Sequence, residues 1–207
     1  ESVKGKEGKV ESVKGKVESQ ESKVIIPNSK WTLHFIEEAP EVNESFTLDR
    51  LCTWENLNEK TKVTMGTGVY ETTFDLPNDE SQEGGQEGKV ESVKGKESKE
   101  ESKRWVIDLG DVRESARVYI NDEYVGCAWC VPYILTFRSS ILKPTDNKLR
   151  IEVTNLPANR IADMDKRKIP WRKFEDINIV DINYKYRQYG RWKPMESGLK
   201  GPVKIYW

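Results

Sequence analysis

What this chain lacks narrows its function before any motif is read. It holds one histidine, three cysteines and three methionines in 207 residues. Its longest apolar runs are only a few residues, far short of the roughly 20 that span a bilayer as a helix, and the N-terminal ESVKGKEGKV lacks the apolar core of a secretory signal. Net charge is nearly absent as well: 34 Lys plus Arg against 35 Asp plus Glu leave a formal −1. No global field draws such a chain to nucleic acid or to an anionic membrane, and neither partner is expected. An eight-fold strand–helix barrel needs about 250 residues and does not fit.

Aromatic residues are missing from two segments, the first 23 residues and the stretch from about Asn78 to Lys103, which consist mainly of Glu, Lys, Ser, Gly, Val and Gln. Such sequence cannot bury enough apolar surface to offset chain entropy, and both segments read as solvated linkers. The decapeptide EGKVESVKGK begins at Glu7 and recurs unchanged at Glu87. It carries no apolar stripe, so it is duplicated low-complexity sequence and not a solenoid period. Gly8, Gly15, Gly88 and Gly95 weaken a charged-helix reading.

What remains alternates with period two. Trp31, Leu33 and Phe35 share one strand face, as do Tyr70, Thr72, Phe74 and Leu76, with Glu71, Thr73 and Asp75 opposite. Trp105, Ile107 and Leu109 repeat the pattern, followed by Ala116, Val118 and Ile120, by Leu149, Ile151 and Val153, and by Val203, Ile205 and Trp207. Asn121-Asp122 fits a hairpin turn, and Pro144 to Asn147 a longer one. Many short strands with little amphipathic-helix signal predict an all-β antiparallel sandwich of jelly-roll type. The organisation is a linker over 1–23, one sandwich from 24–78 plus 104–207, and an insert over 79–103 carried by a surface hairpin, since loop-closure entropy grows slowly with length.

The ordered stretches WTLHF, CTW, GTGVYETTFDLP, WVIDLGDVRESARVYINDEYVG, NKLRIEVTNLPANRIAD and SGLKGPVKI resemble the galactose-binding-like module of glycoside hydrolases. The likeness is nearest to the C-terminal module of rhamnosidase-type enzymes, and more distant to the sugar-binding domain of family-two enzymes. It spans nearly all of the aromatic-bearing sequence and none of the repeats. It implies that Leu109 to Val112, Ala116 to Asn121 and Asn147 to Asn155 are framework strands, and that Gly126, Trp129, Pro132 and Tyr133 form the family's aromatic-Pro-aromatic stretch. It also implies plant or microbial glycans as partners, an upstream catalytic domain, and a periplasmic or extracellular parent. Family enzymes carry their catalytic carboxylates on a separate barrel, so no catalysis is expected here.

The residues agree with that expectation. His34 alternates with the apolar positions of its strand, so it points away from that stripe and reads as structural or exposed, and no nucleophile-elbow sequence is present. Glu37 with Glu38, and Glu175 with Asp176, are adjacent and so face opposite ways on a strand, unlike a glycosidase pair set across a sugar. Cys127 and Cys130 form a CxxC in extended sequence and not at a helix start, and with Cys52 they read as buried free thiols. No cofactor is expected. Asp163 and Asp165 are calcium candidates in a loop near Asn155 and Asn159, against the simpler reading of a loop tied by Arg160.

The carbohydrate-binding candidates are Trp192, Tyr189, Arg187, Arg191, Trp171, Trp129 and Tyr133. Apolar faces of sugar rings pack on aromatic side chains while hydroxyls find Arg, Asn, Gln and acidic partners. Interleaved aromatic and basic residues equally suit stacked single-stranded nucleic acid, which the near-neutral chain disfavours. Two readings therefore stand: a non-catalytic carbohydrate-binding module of a larger glycoside hydrolase, and a structural domain that docks on a catalytic barrel. A third, an independent small hydrolase, has no constellation to support it.

Overall fold

The period-two stripes fall on strands, and most of their apolar side chains are buried, with Phe35, Leu76 and Trp207 partly so. The computed structural model describes residues 24–28, 30–77, 104–172, 183 and 188–207. In chain order the strands are β1 (Val24–Ile25), β2 (Trp31–Ala39), β3 (Phe46–Leu48), β4 (Met65–Phe74), β5 (Arg104–Asp108) and β6 (Asp111–Arg113). They continue as β7 (Ser115–Ile120), β8 (Glu123–Ala128), β9 (Ile134–Arg138), β10 (Asn147–Thr154), β11 (Gly198–Gly201) and β12 (Lys204–Tyr206), with a single α-helix, α1 (Ala158–Lys166), among the described residues.

Every strand pairing is antiparallel. One sheet runs β3-β2-β4-β10-β7-β8, a second runs β1-β12-β5-β9, and β11 pairs with β6 in a short ribbon. Leu33, Tyr70, Phe74, Val118, Ile120, Leu149 and Ile151 from the first sheet meet Trp105, Ile107, Phe137 and Ile205 from the second in one core. This is the all-β sandwich that the alternation predicts.

Turn chemistry fixes the registers. Asn121 and Asp122 both adopt positive φ, 52° and 68°, as a two-residue hairpin loop requires, and they join β7 to β8. Asn147 is wholly buried at the start of β10: its side chain binds the Lys143 backbone at both N–H and carbonyl, 2.7 Å each, and accepts from Asn121 Nδ2 at 2.9 Å. One polar side chain therefore satisfies two turns from inside the protein.

Three expectations are corrected. Leu109 to Val112 is not one strand: Gly110, at φ +66°, turns the chain between β5 and β6, and a Cβ there would lie 2.4 Å from the Gly201 carbonyl carbon. β4 and β5, on either side of the 79–103 insert, are not hairpin partners. β4 pairs with β2 and β10, whereas β5 pairs with β12 and β9, so the two strands belong to different sheets. Local alternation defines each strand but carries no information on which sheet it joins. The two repeat segments, including the linker and insert assignments, lie outside the described residues. Thirdly, the sequence around Asp163 and Asp165 is α1 and not a loop.

Behind α1 the core contains a buried polar knot. Trp54, fully buried, donates its indole N–H to the Tyr70 hydroxyl at 2.7 Å, and that oxygen accepts a second bond from the Leu199 N–H at 3.1 Å. Burial pushes the Tyr70 phenol far above its ordinary range, the two donated hydrogen bonds opposing this. The sign follows from proton counting. Above pH of about 10 the unfolded chain releases this proton while the folded chain holds it, so stability falls by up to about 1.4 kcal/mol per pH unit. Urea titrations at pH 9 and pH 11 should show that loss, and Tyr70→Phe should reduce it. An equal alkaline loss in the variant would rule Tyr70 out as its source.

Candidate functional site

The candidate site is assembled at the end of the six-stranded sheet where β10 finishes and β4 begins. Asn155, just past β10, accepts from the Gly66 N–H at 3.0 Å and donates to the Thr64 carbonyl at 3.0 Å and to Ser197 Oγ at 3.2 Å. This single side chain ties the entrance of β4 to the segment leading into β11. Pro157 follows, and the chain turns into α1.

The helix presents a polar inner side. Asn159 is buried and forms a two-point clamp on Met195, donating to its carbonyl at 2.7 Å and accepting from its N–H at 2.8 Å. At the other end of the helix, Asp165 Oδ2 accepts the Gly190 N–H at 2.7 Å. The two anchors fix the segment between them, including the short 3₁₀ turn Tyr189–Arg191 and Trp192, whose N–H reaches the Tyr189 carbonyl at 2.9 Å.

An aromatic and basic cluster results. The Tyr189 ring meets Trp192 at 4.8 Å and 89°, and meets Trp171 at 5.4 Å and 73°. The Arg172 guanidinium lies 4.9 Å from both the Trp171 and the Tyr189 centroids, while one of its nitrogens is 3.7 Å from Asp165. Tyr189 and Trp171 are half-buried, so they brace the cluster. Trp192 is 45% exposed and borders a cleft of about 70 Å³ with Lys62, Val63, Asn159, Asp163 and Lys166 among its walls. Arg191 is exposed beside it.

The seven sequence candidates thus separate. Trp192, Tyr189, Arg191 and Trp171 come together, and Arg187 lies outside the described residues. Tyr133 does not join them: only 9% exposed, it packs in the sandwich core, where its backbone carbonyl accepts the Leu109 N–H at 3.0 Å. Burial raises its phenol pKa, with the Glu114 charge adding to the effect. Trp129 is 74% exposed just beyond β8, at the same end of the sheet as α1. β8 is separated from β4 by β10 and β7, about 14 Å at the usual strand spacing, so Trp129 stands apart from Trp192.

Asp163 Oδ2 is paired with Arg160 Nη1 at 3.2 Å and Arg167 Nη2 at 2.9 Å, and Asp165 with Arg172 and the Gly190 N–H. The geometry is that of the Arg160 tie, on a helix and not a loop. Among the described residues no three His, Cys, Asp or Glu side chains group as a metal site. The cysteine expectation holds in one respect and fails in the other. All three thiols are free, but Cys127 and Cys130 are exposed and Cys52 half-buried. β8 is the edge of its sheet, and the CxxC runs over its end into solvent. Burial, and then the neighbouring Glu55 charge, raises the Cys52 pKa.

Arg172, Asn159, Lys62 and Lys166 also belong to the site, and no local sequence pattern marks them as binding residues. The usable signal was the Arg160, Asp163, Arg167 spacing after Pro157, which suits i,i+3 and i,i+4 pairs on a helix.

Comparison with known proteins agrees with this architecture. No family model matches the chain. A curated protein of Formosa agariphila named "Putative beta-glucuronidase" is 29% identical over 192 residues, 84% of this chain and 15% of that protein. A rhamnosidase structure from Novosphingobium sp. PP1Y superposes with a TM-score of 0.59 at 23% identity, covering 90% of this chain and 15% of the other. The chain shares the fold of a part of that enzyme. A β-D-glucuronidase structure from Dictyoglomus thermophilum shares the module's fold as well, with a TM-score of 0.51 and 14% identity over 91% of this chain and 28% of that one. The chain thus spans between 15% and 28% of the length of these proteins. No helix among the described residues is long and apolar enough to cross a membrane.

Proposed function

We propose that this module is a non-catalytic carbohydrate-binding domain of a larger glycoside hydrolase, rhamnosidase-like or family-two-like, acting on plant or microbial glycans in the periplasm or outside the cell. The catalytic domain belongs to neighbouring sequence in this reading, and the module itself needs no cofactor. The observation that carries it is Trp192: nearly half exposed, held at both flanks by Asn159 and Asp165, and facing a cleft edged by Asn159, Asp163, Lys62 and Lys166. An immobilised indole beside hydrogen-bonding groups is what a sugar ring needs, apolar contact for its C–H face and partners for its hydroxyls. Pre-ordering the indole also lowers the entropic cost of binding.

A second reading keeps the module structural, docked on a catalytic barrel without sugar affinity. Trp129 and Val131 favour it, being 74% and 79% exposed at the end of the sandwich that also carries α1, as a packing surface would be. Isothermal titration and a glycan array on the full chain separate the two. Sugar affinity in the millimolar range or tighter is the expected result. No binding to any glycan would leave the docking role.

A further inference from the structure

The Trp192 cleft is more cationic than the chain as a whole. Across 207 residues the formal charge is −1. Around α1, however, Lys62, Arg160, Lys166, Arg167, Arg172 and Arg191 outnumber the carboxylates of Asp163 and Asp165 and that of Glu55, which accepts from Asn159 Nδ2 at 3.4 Å. The two aspartates are already committed. Asp163 answers both Arg160 and Arg167, and Asp165 answers Arg172 and the Gly190 N–H.

The lysines have far less compensation. Lys62 pairs only loosely with Glu59, at 3.6 Å, and the Glu59 side chain is 92% exposed, so water and salt screen that pair heavily. Among the described residues neither Lys166 nor Arg191 has an ion-pair partner. Both lysines border the same cleft as the exposed indole. A neutral sugar would meet these lysines only as hydrogen-bond donors to its hydroxyls, whereas an anionic sugar also uses their charge.

We infer that the Trp192 cleft recognises acidic glycans, sugars bearing a carboxylate or a sulfate ester, through Lys62 and Lys166 beside the indole. This rests on the glycan-binding reading and names its ligand class. Charge-assisted hydrogen bonds from ammonium or guanidinium to a carboxylate or sulfate are the stronger kind, and near a low-dielectric indole they are less screened than in open solvent. Long lysine side chains also adapt to either anion as point charges.

The test uses the full chain on an array of neutral, carboxylated and sulfated oligosaccharides, followed by titration of the best acidic hit and of its neutral counterpart, methyl-esterified or desulfated. The acidic form should bind at least tenfold tighter at low salt. That preference should shrink as sodium chloride rises towards 1 M and collapse in Lys62→Gln/Lys166→Gln, whose melting temperature stays near wild type. Which acidic class binds distinguishes carboxylate from sulfate. Equal binding of acidic and neutral forms, or a preference that survives in the double variant, overturns the charge inference and leaves the glycan-binding reading intact. No binding to any sugar on the array overturns both.

Discussion

Trp54→Ala is expected to cost about 3 to 5 kcal/mol of folding stability, the range for removing a large buried aromatic. The indole has no solvent exposure, meets Phe35 edge-on at 4.9 Å, and donates to the Tyr70 hydroxyl. Its walls cannot collapse easily into the void, because two of them are glycine backbone. A Cβ on Gly198 would lie 2.4 Å from the indole nitrogen, and one on Gly68 would lie 2.8 Å from the indole Cζ2. Gly198 also sits at φ +98°, which L side chains rarely adopt. Guanidinium denaturation of wild type, Trp54→Ala and Trp54→Phe measures the effect. The phenylalanine variant retains much of the volume and loses the hydrogen bond, so it should fall between the other two. A loss below about 1 kcal/mol for the alanine variant would contradict the packing described for this knot, since such a loss is within the range of ordinary single substitutions.

Trp105→Ala and Trp192→Ala should part company in both stability and binding. Trp105 is 6% exposed, lies 4.2 Å from the Trp207 ring and 6.4 Å from Phe137, and belongs to the face of β5 that meets the core. Its removal leaves a cavity and should cost about 3 to 5 kcal/mol, a large share of a typical domain's stability. Trp192 packs mainly against Tyr189 at the rim of its cleft, so its removal should cost much less stability. It should instead weaken glycan affinity by about 1 to 3 kcal/mol, the range for ring-stacking platforms. Thermal melts paired with sugar titrations on the two variants check this. A large fall in melting temperature for Trp192→Ala would make that residue part of a structural seam and withdraw it as a sugar platform.

The sequence by itself determined six of the strands, β2, β4, β5, β7, β10 and β12, the inward faces of these, and the β7–β8 hairpin. These are local properties: a side-chain period of two marks Ala116, Val118 and Ile120 for burial wherever the strand lies, and Asn121-Asp122 tolerates positive φ without help from the rest of the molecule. It also placed Tyr189 and Trp192 near each other, since they are separated by a single 3₁₀ turn.

Only the tertiary structure decided the rest. Sheet membership of β4 and β5 depends on non-local pairing, which alternation cannot encode. Helix α1 hides from a hydrophobic-period reading because the side chains it buries are Asn159 and Ala162, not an apolar stripe, and its stability comes from clamps to Met195 and Gly190 far along the chain. Tyr133 and Trp129 look alike in sequence, yet one fills the core and the other points to solvent. Lys62 reaches the cleft only because the strand ends and α1 are folded against one another, bringing residues about 100 positions apart to one edge of the indole. Burial and charge are sums over neighbours in space, so both became legible only when the sheets had closed.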